Sequence, residues 1–319
     1  MAARPESPPK GGVISGRRWH TGGPMIRTLC IVSALLLSSA VARGQGAPGT
    51  NLTVAVTVQR IQMRGDTAFV QYVVQNSPRS AEELWSFTVD APSRPLRVVR
   101  PQARERWTTG VAAQGLQVAS WAALGANIAA GARTPPLEFS ALGLPAMVTY
   151  WAGGYFPVPD YEPVDEDAED TLPALTPQQS LSANAVAGQT VGVEPFPTDL
   201  SPGYLLARLR TLTDSACRLG WIQGRGTCRE LAEHLDQAGR ELQRGQREEA
   251  RNHLREFVTD VRERAGRRPG EEERGDDQRE ERDDRGAAVN SSAYWLLTVN
   301  AEYVLTRLCE PGGACREDR

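Results

Sequence analysis

The sequence predicts an α+β chain in which two separate domains follow one another, first an antiparallel β-sandwich and then a four-helix module. Between residues 51 and 151, apolar residues recur at every second position within short segments, and no helical segment lies among them. After residue 202 they recur with a period near 3.6 residues. A period of two is typical of half-buried strands, whereas a period of 3.6 lines one face of a helix. We therefore expect the sandwich at residues 50–156 and the helical domain at residues 202–309.

An export signal precedes the sandwich. Arg27 is followed by an apolar run from Leu29 to Leu37 and then by Ala40-Val41-Ala42. This order predicts a signal peptide at residues 25–42, since the run is shorter than the roughly 20 residues of a membrane helix. Residues 1–24 are an upstream extension that we expect to be unstructured, and translation could start at Met1 or at Met25. We expect a secreted or periplasmic protein with no transmembrane anchor.

Short alternating segments separated by turn residues predict about seven strands, which is typical of an immunoglobulin-like sandwich. Leu52–Val58, Val70–Val74 and Trp85–Val89 alternate most clearly, with Trp85, Phe87 and Val89 expected on one face. Shorter strands are expected near residues 96–99, 117–124, 137–140 and 146–151. Residues 70–76 and 84–87 resemble the second and third strands of exported bacterial immunoglobulin-like modules. That resemblance implies a fold and no site.

An acidic segment at residues 157–184 follows the sandwich. It lacks the glycine of a calcium-binding loop, so we interpret it as a solvated loop or linker. Residues 185–197 then contain an apolar stretch that could supply a last strand of the sandwich. If they do, the acidic segment is an insertion within the sandwich, and otherwise it belongs to a linker.

Four helices are predicted in the second domain. Ser201 and Pro202 fit the cap and first position of the first helix. Thr227 and Glu230 fit a capping box at the start of the second. Gly245 and Gly266 are expected to end the second and third helices in the left-handed conformation. The fourth helix is expected at about residues 292–308, with Leu297, Ala301, Val304 and Leu308 facing inward.

The helical segments resemble the FIMAH domain of exported bacterial proteins. The residues that carry the resemblance are Arg229–Ala238, Ala250–Val258 and the fourth helix. The resemblance implies an all-α domain without an assigned activity. This chain departs from the pattern in its cysteines and in a charged insertion at residues 267–286, which is too polar to fold against a core and is expected to be disordered.

Four cysteines follow the signal peptide: Cys217, Cys228, Cys309 and Cys315. An even number in an exported chain indicates disulfides, and four cysteines allow three pairings. If the helices run up and down, the first helix ends near the start of the second, which favours Cys217 with Cys228 and Cys309 with Cys315. No CxxC pair occurs, and His234 and His253 fit no zinc template. We predict no metal and no cofactor.

The composition and motifs favour an exported, non-enzymatic interaction protein of the bacterial envelope or exterior, with a protein or glycan partner. The formal net charge of -3 gives no support for nucleic-acid binding. Trp151, Tyr155 and Phe156 are candidate partner contacts, because nearby glycines indicate a loop. The alternative is a secreted hydrolase, or an accessory to one, using carboxylate pairs such as Glu82-Glu83 or Asp165 and Asp167. No histidine, nucleophile elbow or HExxH motif accompanies these pairs, so we expect no enzyme.

Overall fold

In the computed structural model, two antiparallel sheets precede four helices. The structure describes residues 51–102, 106–113, 115–125, 127–155, 181, 185–265 and 288–309. The predicted signal peptide, the acidic segment apart from Leu181, the charged insertion, Gly266 and Cys315 lie outside these residues. The strands are β1 Val54–Arg64, β2 Thr67–Asn76, β3 Leu84–Asp90, β4 Leu96–Val99, β5 Arg106–Ala113, β6 Leu116–Leu124, β7 Leu137–Leu142, β8 Leu144–Gly154 and β9 Ala185–Glu194. The helices are α1 Pro202–Arg218, α2 Arg225–Gln243, α3 Arg247–Arg264 and α4 Ser291–Leu308.

The strands form a four-stranded sheet in the order β1-β2-β7-β4 and a five-stranded sheet in the order β5-β6-β3-β8-β9. Aromatic rings fill the space between the sheets. Tyr72 of the first sheet packs edge-on against Phe87 and Trp121 of the second, and its hydroxyl donates a hydrogen bond to the carbonyl of Val191 at 2.5 Å. Burial raises the pKa of Tyr72 well above its ordinary value. The predicted immunoglobulin-like α+β class is therefore confirmed.

Strand β9 pairs with β8 along ten residue pairs, from Leu144 opposite Glu194 to Gly153 opposite Ala185. Residues 185–194 are thus a strand of the second sheet. The chain between residues 155 and 185 connects two neighbouring strands, so the acidic segment is an insertion within the sandwich and not an interdomain linker.

Two strand predictions need correction. Strand β5 was not predicted, because only one of its eight residues is buried and its apolar alternation is weak. Trp85 was expected on the same face as Phe87, but it is 42% exposed while Phe87 is buried. A register shift between Leu84 and Ser86 in the pairing with β8 breaks the alternation at this point.

The first helix begins as predicted, with Ser201 accepting a hydrogen bond from the backbone nitrogen of Tyr204 at 3.4 Å. The capping box at Thr227 was wrong. Helix α2 starts at Arg225 after Gly224 and has no side-chain cap, which leaves Thr227 inside the first turn. Gly245 has φ +79°, the left-handed conformation expected after α2.

Helix α4 lies between the other helices and the sandwich. It contacts α1 and α3 on one side and β1, β8 and β9 on the other. Because both sides are covered, eleven of its eighteen residues are buried, which explains why an amphipathic pattern predicts only part of its contacts. The described residues belong to one compact unit, in which the sandwich and the helices share a continuous hydrophobic core.

Candidate functional site

A groove of about 660 Å³ runs between α1 and α2. The floor of the groove includes Leu206 and Leu235, which are almost fully buried. Leu242 also lines the groove. Gly239 of α2 has no side chain to fill the groove. A Cβ built at this position would lie in contact with the groove floor, 3.7 Å from Cδ2 of Leu206. The helical period places these residues along one side of α2 and creates a concave apolar surface.

Three arginines rim this groove. Arg210 is held by Asp214 and by Asp236, whose Oδ1 lies 3.1 Å from its Nε. Partial burial disfavours the charge of Arg210, but the two carboxylates outweigh that effect and raise its pKa. Arg240 and Arg247 are exposed. Within the described part of the chain, their guanidinium groups have no ion pair or hydrogen bond, so they are available to a bound carboxylate.

The structure describes two of the three aromatic residues proposed as partner contacts, and they differ in exposure. Trp151 lies within β8 and is 5% exposed, so the expected surface loop at this position was wrong. Tyr155 is 45% exposed and its backbone nitrogen donates to the carbonyl of Glu83. Phe156 lies outside the described residues. Exposed Trp85, on neighbouring β3, is an aromatic candidate that the sequence pattern assigned to the core.

The carboxylate pairs of the hydrolase alternative have structural partners where they are described. Glu82 accepts a hydrogen bond from the backbone nitrogen of Asn51 at 2.8 Å, and Glu83 accepts one from Nδ2 of Asn127 at 3.1 Å. Both carboxylates therefore anchor loops at the end of the sandwich. Asp165 and Asp167 lie outside the described residues.

Cys217 and Cys228 form a disulfide with a Cα separation of 6.1 Å, which confirms that pairing. It joins the end of α1 to the first turn of α2, next to the short connection between them. Cys309 is also disulfide-bonded. Since Cys217 and Cys228 bond each other, the partner of Cys309 lies outside the described residues, and the pairing with Cys315 stays a prediction.

One cluster of possible metal ligands was not predicted from the sequence. His234 on α2 and His253 on α3 come together with Glu256, and each of the three offers a ligand atom within 4.8 Å of the other two. The only local signal was the spacing of His253 and Glu256, three residues apart on one helix. The meeting with His234 depends on how α2 packs against α3.

Among the helices in the described part of the chain, none has the length and apolar character needed to cross a membrane. No curated protein matches the chain.

Solved structures resemble the sandwich weakly. An uncharacterised immunoglobulin-like protein from Nocardia farcinica is 15% identical with a TM-score of 0.24, over 43% of this chain and 95% of that one. A cohesin module from a family 33 glycoside hydrolase of Clostridium perfringens is 7% identical with a TM-score of 0.26, over 47% and 100%. An exo-β-N-acetylglucosaminidase of Vibrio harveyi is 13% identical with a TM-score of 0.22, over 46% of this chain and 18% of the enzyme.

The helical part has a clearer relationship. The family match covers residues 206–273, which include most of α1 and all of α2 and α3 but not α4. The groove floor and the histidine pair both fall within it. The resemblance expected from the sequence is thus confirmed: residues 206–273 match the FIMAH domain.

Proposed function

We propose that this chain is an exported, non-enzymatic interaction protein of the bacterial envelope or exterior, and that its helical domain binds a protein segment in the groove between α1 and α2. The observation that carries the proposal is the pairing of an apolar floor with unpaired arginines within the FIMAH match. The disulfide between Cys217 and Cys228 supports an oxidising compartment, either secreted or periplasmic.

The lining of the groove favours a protein partner over a glycan. Leu206, Leu235 and Leu242 offer apolar contacts, while Arg240 and Arg247 offer charge-assisted hydrogen bonds to carboxylates. Sugar rings typically stack on aromatic faces, and among the described residues that line this groove none is aromatic. The fitting partner is therefore a peptide segment with an apolar anchor beside Asp or Glu.

A peptide array tests this proposal directly. Residues 43–319 would be applied to peptides that tile the exported proteins of the source bacterium, with a glycan array in parallel. We expect binding to peptides that combine Leu, Ile or Phe with a neighbouring Asp or Glu. Binding to glycans alone, or to no peptide, would contradict the proposed partner class.

Two glycine-to-leucine variants, one inside the groove and one outside it, test whether the peptide binds in the groove. Gly239→Leu would extend a side chain toward Leu206 and is expected to weaken peptide binding by at least about tenfold, the loss of one well-packed apolar contact. Gly226→Leu is the control, because it places the same side chain in open space at the other end of α2. Equal binding by both variants would exclude the groove as the binding site.

A further inference from the structure

Two helices bring two histidines and two carboxylates to one place. His234 projects from α2, while His253, Glu256 and Asp260 share a face of α3, since they are spaced by three and four residues. Nδ1 of His234 lies 3.4 Å from Oε2 of Glu256, and Nδ1 of His253 lies 3.2 Å from the same oxygen. Nε2 of His234 lies 3.3 Å from Oδ2 of Asp260.

Two of the three separations within this cluster match those around a tetrahedral zinc ion, and all three lie within 4.8 Å. With bonds of about 2.0–2.1 Å to nitrogen and oxygen, neighbouring ligand atoms lie roughly 3.3 Å apart. The distances of Glu256 Oε2 from the two histidine nitrogens agree with this value. Both imidazoles lie near the surface, with side chains 24% exposed for His234 and 29% exposed for His253, although Nδ1 of His234 is itself buried.

The surroundings of His234 provide an independent observation. Its Nδ1 atom is buried, and among the described residues no group makes a hydrogen bond to it, although Oε2 of Glu256 is close. On the other side of the ring, the Asp260 carboxylate is placed to hold a proton on Nε2, which would leave the Nδ1 lone pair for a metal. A carboxylate behind a ligating histidine is the usual outer partner in zinc sites.

The local charge balance also favours a cation. Glu256 and Asp260 face the two imidazoles, and Arg264 is the basic residue that approaches, 3.5 Å from Asp260 and 2.5 Å from Glu230. Because Arg264 lies beside Asp260 and Glu230, the negative charge of Glu256 remains available at the centre of the cluster. Imidazole and carboxylate together are ligands suited to the later divalent metals of the first transition row.

We propose that His234, His253 and Glu256 bind a divalent transition-metal ion of the Zn²⁺ class, with Asp260 orienting His234. The bound ion would tie α2 to α3 in the middle of the residues that match the FIMAH domain. With three protein ligands, a fourth position is open to water or to a partner's side chain. The site is separate from the groove, which lies between α1 and α2.

Zinc titration of residues 43–319, produced without a histidine tag, tests the site by calorimetry and by thermal melting. We expect one Zn²⁺ per chain and a rise in Tm of about 5 °C or more at a free zinc concentration a hundred times Kd. Co²⁺ in place of Zn²⁺ should give the visible absorption of a four-coordinate site. Ca²⁺ should produce neither change.

Matched variants identify the ligands. His253→Ala and Glu256→Gln should abolish the stoichiometric binding, whereas Glu302→Gln, an exposed carboxylate on α4, should leave it intact. At His234, which is more buried than His253, glutamine is used in place of alanine because it changes the volume of the side chain less. Asp260→Asn should weaken binding about ten- to a hundredfold while keeping the Co²⁺ spectrum, as expected for a positioning residue. No binding by the wild-type chain, or equal binding by the His253→Ala variant, would overturn the proposal.

Discussion

Arg208 of α1 donates a hydrogen bond from Nη1 to Oδ1 of Asn300 of α4 at 2.6 Å. Both side chains also reach the carbonyl oxygen of Pro145 in β8, Arg208 at 3.1 Å and Asn300 at 3.0 Å. Burial lowers the pKa of Arg208, and the nearby Glu194 partly offsets this effect. These contacts join α1 and α4 to the sandwich. Arg208 and Asn300 bond each other and share one acceptor, so loss of either side chain leaves the other with fewer partners.

The first prediction concerns this junction. Asn300→Ala should lower the free energy of unfolding by about 1–3 kcal/mol, because it leaves buried groups of Arg208 and Pro145 with fewer partners. Chemical denaturation followed by circular dichroism measures the change. Arg262→Ala is the control, since the Arg262–Glu302 pair is exposed and should contribute less than about 1 kcal/mol. Equal effects of the two substitutions would contradict the role of the junction.

Two glycines in and after α2 should respond oppositely to alanine. Gly239→Ala should raise the free energy of unfolding by about 0.5–1 kcal/mol, since its Cβ would meet Leu206 at an ordinary contact distance within a helix. Gly245→Ala should destabilise the chain by about 1 kcal/mol or more, because φ is +79° there. Parallel urea titrations provide the comparison. Stabilisation by both substitutions would show that the left-handed cap is not maintained.

The disulfide between Cys217 and Cys228 closes a short loop, with a sequence separation of 11 residues. Replacing both cysteines with alanine should lower the free energy of unfolding by about 3 kcal/mol, the loop-closure entropy for a ring of this size. The reduced wild-type chain supplies a second comparison, although reduction also opens the bond of Cys309. An unchanged denaturation midpoint in the double variant would contradict the assignment.

Asp90 gives a prediction for the dependence of stability on pH. Partial burial raises its pKa above the ordinary 3.8, and a hydrogen bond from the backbone of Ala91 partly opposes this. A raised pKa in the folded state favours the protonated carboxyl, so this contribution is present at low pH and is lost as the pH rises through the folded pKa. Asp90→Asn should therefore raise Tm relative to the wild type at pH 7, with a smaller difference near pH 3.5. A difference that grows as the pH falls would contradict this sign.

The groove arginines predict a charge requirement. Combined Arg240→Glu and Arg247→Glu substitutions should weaken binding of an acidic peptide by at least about tenfold, since two attractive contacts become repulsive. Arg225→Glu combined with Arg229→Glu, two exposed positions at the other end of α2, is the charge-matched control. Each variant would be measured by fluorescence anisotropy at two salt concentrations. Loss of affinity with the control alone would contradict the groove as the site.

Local chemistry predicted much of the architecture. The alternation around Tyr72, the cap at Ser201 and the left-handed Gly245 each depend on a few neighbouring residues. Each of them can therefore be predicted from the local sequence. The pairing of Cys217 with Cys228 followed from the order of the helices. These features are properties of short segments or of simple topology.

Features that depend on packing were not predictable in the same way. The bulge that exposes Trp85 depends on the register between β3 and β8. The burial of α4 depends on a sandwich surface far away in sequence, and the meeting of His234 with His253 depends on the rotation of one helix against another. Helical periodicity identifies the face of each helix, but it does not identify the partner of that face.

Hydrogen exchange of residues 43–319 with and without the tightest peptide from the array tests the proposed interaction most directly. We predict that bound peptide slows backbone exchange at the accessible edges of the groove, residues 203–210 and 235–247, and leaves the sandwich unchanged. Slowed exchange around Trp85 and Tyr155 with no change in α1 or α2 would contradict the account, because the sandwich would then be the binding surface.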